Sequence, residues 1–141
     1  MTTQSTSLPL ARPAARPAMI WSGRVITGLA VLFLLFDMVI KVLALPQAIE
    51  ATVALGYPAS IVTGLGLLEL ACLALYLLPR TAAIGAILMT GYLGGAIATH
   101  VHSASPTFSL IFPAIIGALL WGGLLLRRAD LRTLLRGERA S

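Results

Sequence analysis

A chain of 141 residues that is 58% hydrophobic and 11% charged, with a mean hydropathy of +0.94, departs far from soluble domains, which are about one-quarter charged. That composition excludes a soluble catalytic domain and points to an integral membrane protein. Nine arginines and one lysine against five acids give a net charge of +5, but the arginines cluster at the ends of apolar runs, which orients a membrane protein rather than binding nucleic acid.

Residues 1–19 are rich in Ser, Thr, Pro and Ala, with Arg12 and Arg16. They read as a disordered tail. A cleaved signal peptide fits less well, because the apolar run that follows is too long and carries charges. That run, 20–45, is the first expected span; a bilayer needs roughly 20 apolar residues. Asp37 and Lys41 lie inside it, four residues apart and so on one helical face. Pro46 is expected to stop it. Residues 46–58 read as a short interfacial helix, with Pro46 in its first turn and Gly56 as its cap.

The second span is expected at 59–78, with Glu69 near its middle. Gly66, Glu69, Cys72, Leu73 and Tyr76 share one face by spacing. Pro79-Arg80-Thr81 is a tight turn with Thr81 as N-cap. The third span is expected at 81–100. Its Gly91 and Gly95 form a GxxxG pair, which lets helices approach closely in lipid. The fourth, 107–126, has Pro113 in its second turn, where a bend is expected. Residues 127–141 form a basic tail holding five arginines, and Leu131, Leu134 and Leu135 share a face suited to an anionic leaflet.

The expected fold is therefore all-α, an antiparallel four-helix bundle in the membrane. The N-terminal tail, the turn at Arg80 and the C-terminal tail carry the arginines, while the other two loops carry none. Four spans put those three segments on one side, which charge bias makes cytoplasmic, so both termini are expected there.

Taking 1.5 Å per helical residue, Glu69 and Tyr92 fall near the midplane, with Asp37 about 6 Å and Lys41 about 12 Å further out. Tyr92, Ala96, Thr99 and His100 share a face of the third span. The expected site is a polar pocket of Asp37, Lys41, Glu69, Tyr92 and His100 that opens to the outside. Glu69, Asp37 and Tyr92 are the candidates for acid–base chemistry. Intramembrane charges suggest function, yet the Asp37–Lys41 pair serves equally well as mutual neutralisation. His100 and His102 are too close together at a helix end to share a face. With no other histidine and one cysteine, Cys72, no metal or haem site is expected.

The chain also resembles the DoxX-like family of small bacterial four-helix membrane proteins, over about 20–136. The matching pieces begin with Trp21-Ser22-Gly23-Arg24 and Phe36-Asp37-Met38-Val39-Ile40-Lys41. They continue with Leu55-Gly56-Tyr57-Pro58, Glu69, Leu78-Pro79-Arg80-Thr81-Ala82 and Gly94-Gly95-Ala96-Ile97-Ala98-Thr99-His100. Trp121 and Leu126-Arg127-Arg128 close the match. The resemblance implies a multi-pass protein of the bacterial inner membrane. Some relatives look like subunits or partners of quinone-linked oxidoreductases or of membrane redox-defence complexes. The first function expected is thus an accessory subunit that binds a lipophilic small molecule or quinone beside a redox partner. The alternatives are a membrane-embedded enzyme doing isomerisation or cyclisation, and a small proton-coupled transporter.

Overall fold

The computed structural model describes residues 17–135, and these are helical with short links. The helices are α1 (Pro17–Val42), α2 (Pro46–Ala54), α3 (Val62–Leu77), α4 (Ala82–His102), α5 (Thr107–Arg127) and α6 (Ala129–Leu135), with a single 3-10 turn at Ala59–Ile61 before α3. Four of them are long and apolar enough to cross a membrane: α1, the 3-10 turn continued into α3, α4 and α5. α1 packs on α3 and α5, and α4 packs on the same two. The four spans thus form a ring with α1 and α4 on the diagonal, and the chain is an all-α membrane protein.

The spans stand where the apolar runs predict, with ends that differ for local reasons. α1 is helical from Pro17, the first described residue, and so reaches into the expected tail. Residues 1–16 and the arginines Arg136 and Arg139 lie outside the described residues. At the other end α1 stops at Val42, before the expected Leu45. The residue before a proline is driven out of the helical region, and Leu45 is accordingly extended, at φ −64° and ψ 149°. The turn between them is closed by Ala44 at φ +48°. Ala44 N donates to Lys41 O at 3.0 Å, and Leu45 N to Ile40 O at 2.9 Å, the paired bonds of a Schellman cap.

The same device recurs twice at this end of the bundle. Gly56, at φ +89°, closes α2, with Gly56 N on Val53 O and Tyr57 N on Thr52 O. Ala104, at φ +51°, closes α4, with Ala104 N on Val101 O and Ser105 N on His100 O. A proline follows each cap two residues on: Pro46, Pro58 and Pro106. A hydrogen bond between the Tyr57 and Thr99 hydroxyls, at 3.1 Å, ties the second turn to the end of α4.

The core runs down the middle of the ring. Ala30, Val31 and Leu34 of α1, Leu73 and Tyr76 of α3, Ala86, Met89 and Leu93 of α4, and Ile116, Leu120 and Leu124 of α5 are all buried. The face of α3 expected from spacing is the buried one: Gly66, Glu69, Cys72, Leu73 and Tyr76, joined by Val62. Leu131 of α6 packs against this core from the arginine-bearing end.

Close helix approach falls on glycines other than the expected pair. Gly91 and Gly95 are exposed, and a Cβ on either would meet nothing within 4 Å. A Cβ on Gly85 would collide with the backbone of Tyr76, and one on Gly23 would stand 2.8 Å from Leu126 Cβ. Gly123 is equally crowded by Thr27 and by the Gly23 carbonyl, at 3.0 Å. The GxxxG spacing marks one helical face but does not say which way it points. Thr81, expected as an N-cap, makes no capping bond; its hydroxyl donates back to Leu75 O at 2.8 Å and so ties the α3–α4 turn.

Candidate binding site

The site begins with one tight contact. A Cβ on Gly66 would lie 2.9 Å from Lys41 Cβ and 2.8 Å from Val42 N. Glycine at this point lets α3 lie directly against the last turn of α1. Glu69 follows one helical turn later on the same face, so its carboxylate comes within reach of the Lys41 ammonium.

Lys41 uses its three N–H donors on three partners. It pairs with Asp37, one turn back on its own helix. It donates to Glu69 Oε2 at 3.1 Å, and to the Tyr92 hydroxyl of α4 at 2.9 Å. The Tyr92 hydroxyl in turn donates to Glu69 Oε2 at 2.9 Å. The lysine therefore bridges the diagonal between α1 and α4, which do not otherwise pack on each other, and the three helices α1, α3 and α4 meet at one nitrogen.

Two features of this cluster matter chemically. First, one ammonium faces two carboxylates, so a single positive charge is shared by two acids. The second acid gains full compensation only from a proton or a bound hydrogen-bond donor. Second, the cluster is asymmetric in access. The Glu69 side chain is 0% exposed, and its Oε1 has no hydrogen-bond partner. Asp37 and Lys41 keep 28% and 19% side-chain exposure. One carboxylate and the ammonium, whose three N–H donors are already engaged, are thus reachable from outside the bundle, while the acid behind them is sealed.

Four of the five residues expected at the site come together. His100 lies elsewhere: its Nδ1 is 3.0 Å from Ser105 Oγ, and Ser105 Oγ is 2.8 Å from Ser103 Oγ. Sequence spacing puts His100 on the Tyr92 face but also eight residues further along, about 12 Å at helical rise. The expected opening differs too. A cavity of about 650 Å³ lies at the capped end, lined by Tyr57, Thr99, His102 and Ser103 together with the end of α2, and none of the four cluster residues lines it. Sequence reasoning places Gly66 on the shared face of α3 but misses its close approach to Lys41. A lone glycine carries no signal of close approach unless the residue opposite it is known.

At the arginine-bearing end a second set of polar contacts holds the bundle. Tyr76 donates to Leu120 O at 2.8 Å, and Arg127 lies 3.5 Å from the same hydroxyl. Arg128 donates to Pro79 O and to Asp130, at 3.0 Å for the closest carboxylate contact. The Arg128 guanidinium beside Asp130 holds that carboxyl below the usual carboxylate range, its hydrogen bonds being the main cause.

The family model of the DoxX-like family matches residues 25–123, a stretch that contains all four members of the cluster. No curated protein and no solved structure matches the chain.

Proposed function

The chain belongs to the DoxX-like family, and from that premise we propose that it is a membrane subunit whose cluster binds the polar head of a lipophilic small molecule. A quinone is the fitting class. A quinone carbonyl would take over one of the N–H bonds that Lys41 makes to Asp37, Glu69 and Tyr92, and Asp37 offers an acceptor for a quinol hydroxyl. Tyr92 and Glu69 anchor the ammonium from behind. The observation that carries this reading is the partial exposure of Asp37 and Lys41 in a span otherwise suited to lipid, with Glu69 sealed beneath them. Apolar walls with a few placed polar groups are what such sites share.

That asymmetry also favours binding over turnover. An acid–base mechanism would lean on Glu69, yet Glu69 has no exposed surface. The redox chemistry then belongs to a partner protein, with this chain holding the small molecule beside it. Charge bias supports a topology with Arg80, Arg127, Arg128 and Arg132 on the cytoplasmic side of a bacterial inner membrane.

Native mass spectrometry of the protein released from its own membrane tests the proposal. The expected result is a retained quinone that is lost in Lys41→Met, with the helical circular dichroism of the variant intact. Equal retention by parent and variant, or a parent that carries no lipophilic molecule, would contradict it.

A further inference from the structure

The cavity at the capped end has a chemistry of its own, independent of the cluster. It is bounded by residues 54–57 on one side and by Ala98, Thr99, His102 and Ser103 on the other. The C-terminal ends of α2 and α4 both meet there. Each helix C-terminus concentrates carbonyl oxygens with a partial negative charge.

The caps sharpen this. In a continuing helix the carbonyl of Ala54 would accept from the N–H of residue 58, and that of His102 from residue 106. Both of those residues are prolines, which have no N–H. Among the described residues neither carbonyl accepts a hydrogen bond. Two carbonyls from two helix ends are therefore free on residues that line one cavity. Beside them stand the hydroxyls of Tyr57 and Thr99, 3.1 Å apart, and the Tyr57 ring. No lysine or arginine is among the lining residues.

Free carbonyls, hydroxyls, two negative helix ends and an aromatic face, without a lysine or arginine, are complementary to a positive charge. We propose that this cavity binds an organic ammonium group. An ammonium N–H would donate to the free carbonyls, and a methylated one would lie on the Tyr57 ring. The cation has two sources: the headgroup of an amine-bearing lipid, or a free small amine in solution.

Ala98 is exposed and lines the cavity, so its substitution changes the charge there and leaves the core packing as it is. Ala98→Lys places a competing ammonium in the site, and Ala98→Glu adds a carboxylate. Ala51, exposed on α2 and outside the lining, takes the same two substitutions as a control for bulk charge.

Saturation-transfer NMR of the full chain in phosphatidylglycerol nanodiscs, with ethanolamine and with tetramethylammonium as probes, reads the free cation. Native mass spectrometry from vesicles of mixed phosphatidylethanolamine and phosphatidylglycerol reads the lipid headgroup. Binding in the first arm identifies a free amine, and enrichment of phosphatidylethanolamine in the second identifies the headgroup. In either arm Ala98→Lys should weaken binding by about tenfold or more, as expected for like charges a few ångströms apart. Ala98→Glu should strengthen it, and the Ala51 variants should leave it unchanged. No binding in either arm would overturn the proposal, as would two Ala98 variants that shift affinity in the same direction or not at all.

Discussion

Gly66 of α3 lies against Lys41 of α1 so closely that a Cβ at position 66 would stand 2.9 Å from the lysine Cβ. That spacing sets whether the Lys41 ammonium reaches Glu69, and the main chain of Val42 on the other side leaves no slack, at 2.8 Å. Gly66→Ala is therefore expected to push α1 off α3 and stretch the 3.1 Å Lys41–Glu69 contact. Overpacking of this kind costs about 1–3 kcal/mol. A lowered melting temperature in detergent would confirm it, and an unchanged one would show that α1 yields without cost.

The cluster should behave as a coupled unit. Lys41→Met leaves two acids without their shared cation, the situation in which breaking a buried pair costs roughly 3–5 kcal/mol. The cost here should fall below that range, since Lys41 keeps 19% exposure and Asp37 28%. Glu69→Gln alone should be milder, because glutamine still accepts from Lys41 and Tyr92. The double variant should be less destabilised than the sum of the two, and a double-mutant cycle in equilibrium unfolding measures the difference. Simple additivity would mean that Lys41 and Glu69 do not interact in the membrane. Glu69→Lys, which sets a second ammonium beside Lys41, should be the most damaging of the series.

The glycines sort into two classes with opposite expected signs. Gly85→Ala drives a methyl into the Tyr76 backbone and should be among the most destabilising single substitutions, at about 1–3 kcal/mol or more. Gly91→Ala and Gly95→Ala enter open space and should be neutral or stabilising, up to about 1 kcal/mol, because alanine is the better helix former. A loss of stability at Gly95 would instead show that its face is covered in the membrane.

Much of the fold and of the cluster was legible in the sequence, and the exceptions have physical causes. The four spans follow from apolar runs of sufficient length, and Glu69 and Tyr92 could be placed at one depth because helical rise is nearly constant. Lys41 was expected further out, and its long side chain covers that distance to meet both. His100 shares the Tyr92 face by spacing but lies beside Ser105 instead, because a shared helical face constrains angle and not height. The caps at Ala44 and Ala104 left no signature, since the left-handed position that glycine usually fills is held by alanine in both. The glycines that pack, Gly23, Gly66, Gly85 and Gly123, stand outside any repeated spacing that includes the partner helix.

Those alanine caps give a further prediction. A left-handed alanine costs about 1–2 kcal/mol against the right-handed form, and glycine relieves most of it. Ala44→Gly and Ala104→Gly should each raise stability, by up to about 1 kcal/mol. Thermal unfolding of the two variants, singly and combined, checks this; a fall in melting temperature would mean that the Cβ atoms make contacts worth more than the strain.

Asp130 offers a pH test outside the membrane. Its carboxyl is held below the usual range in the folded protein by Arg128, so the folded state binds that proton less readily than the unfolded one. The contribution is present above the ordinary carboxylate pKa of about 4 and is lost as pH falls through the lower folded value. Arg128 also holds Pro79 O, so α6 should loosen from the α3–α4 turn in acid. Amide protection across Ala129–Leu135, taken relative to the intrinsic exchange rate at each pH, should fall below about pH 4, and Asp130→Asn should remove that change. Protection that stays constant with pH in the parent would show that the pair does not anchor α6.

The most direct measurement is photolabelling of the full chain in bilayers with an azidoquinone, followed by mapping of the labelled residues. Label concentrated on α1 around Asp37 and Lys41 and on the facing part of α4 around Tyr92, and abolished by Lys41→Met, is the predicted result. Label confined to the α4–α5 groove around Trp121 and Pro113, or spread evenly over the lipid-facing helices, would contradict the assignment of the cluster as the binding site.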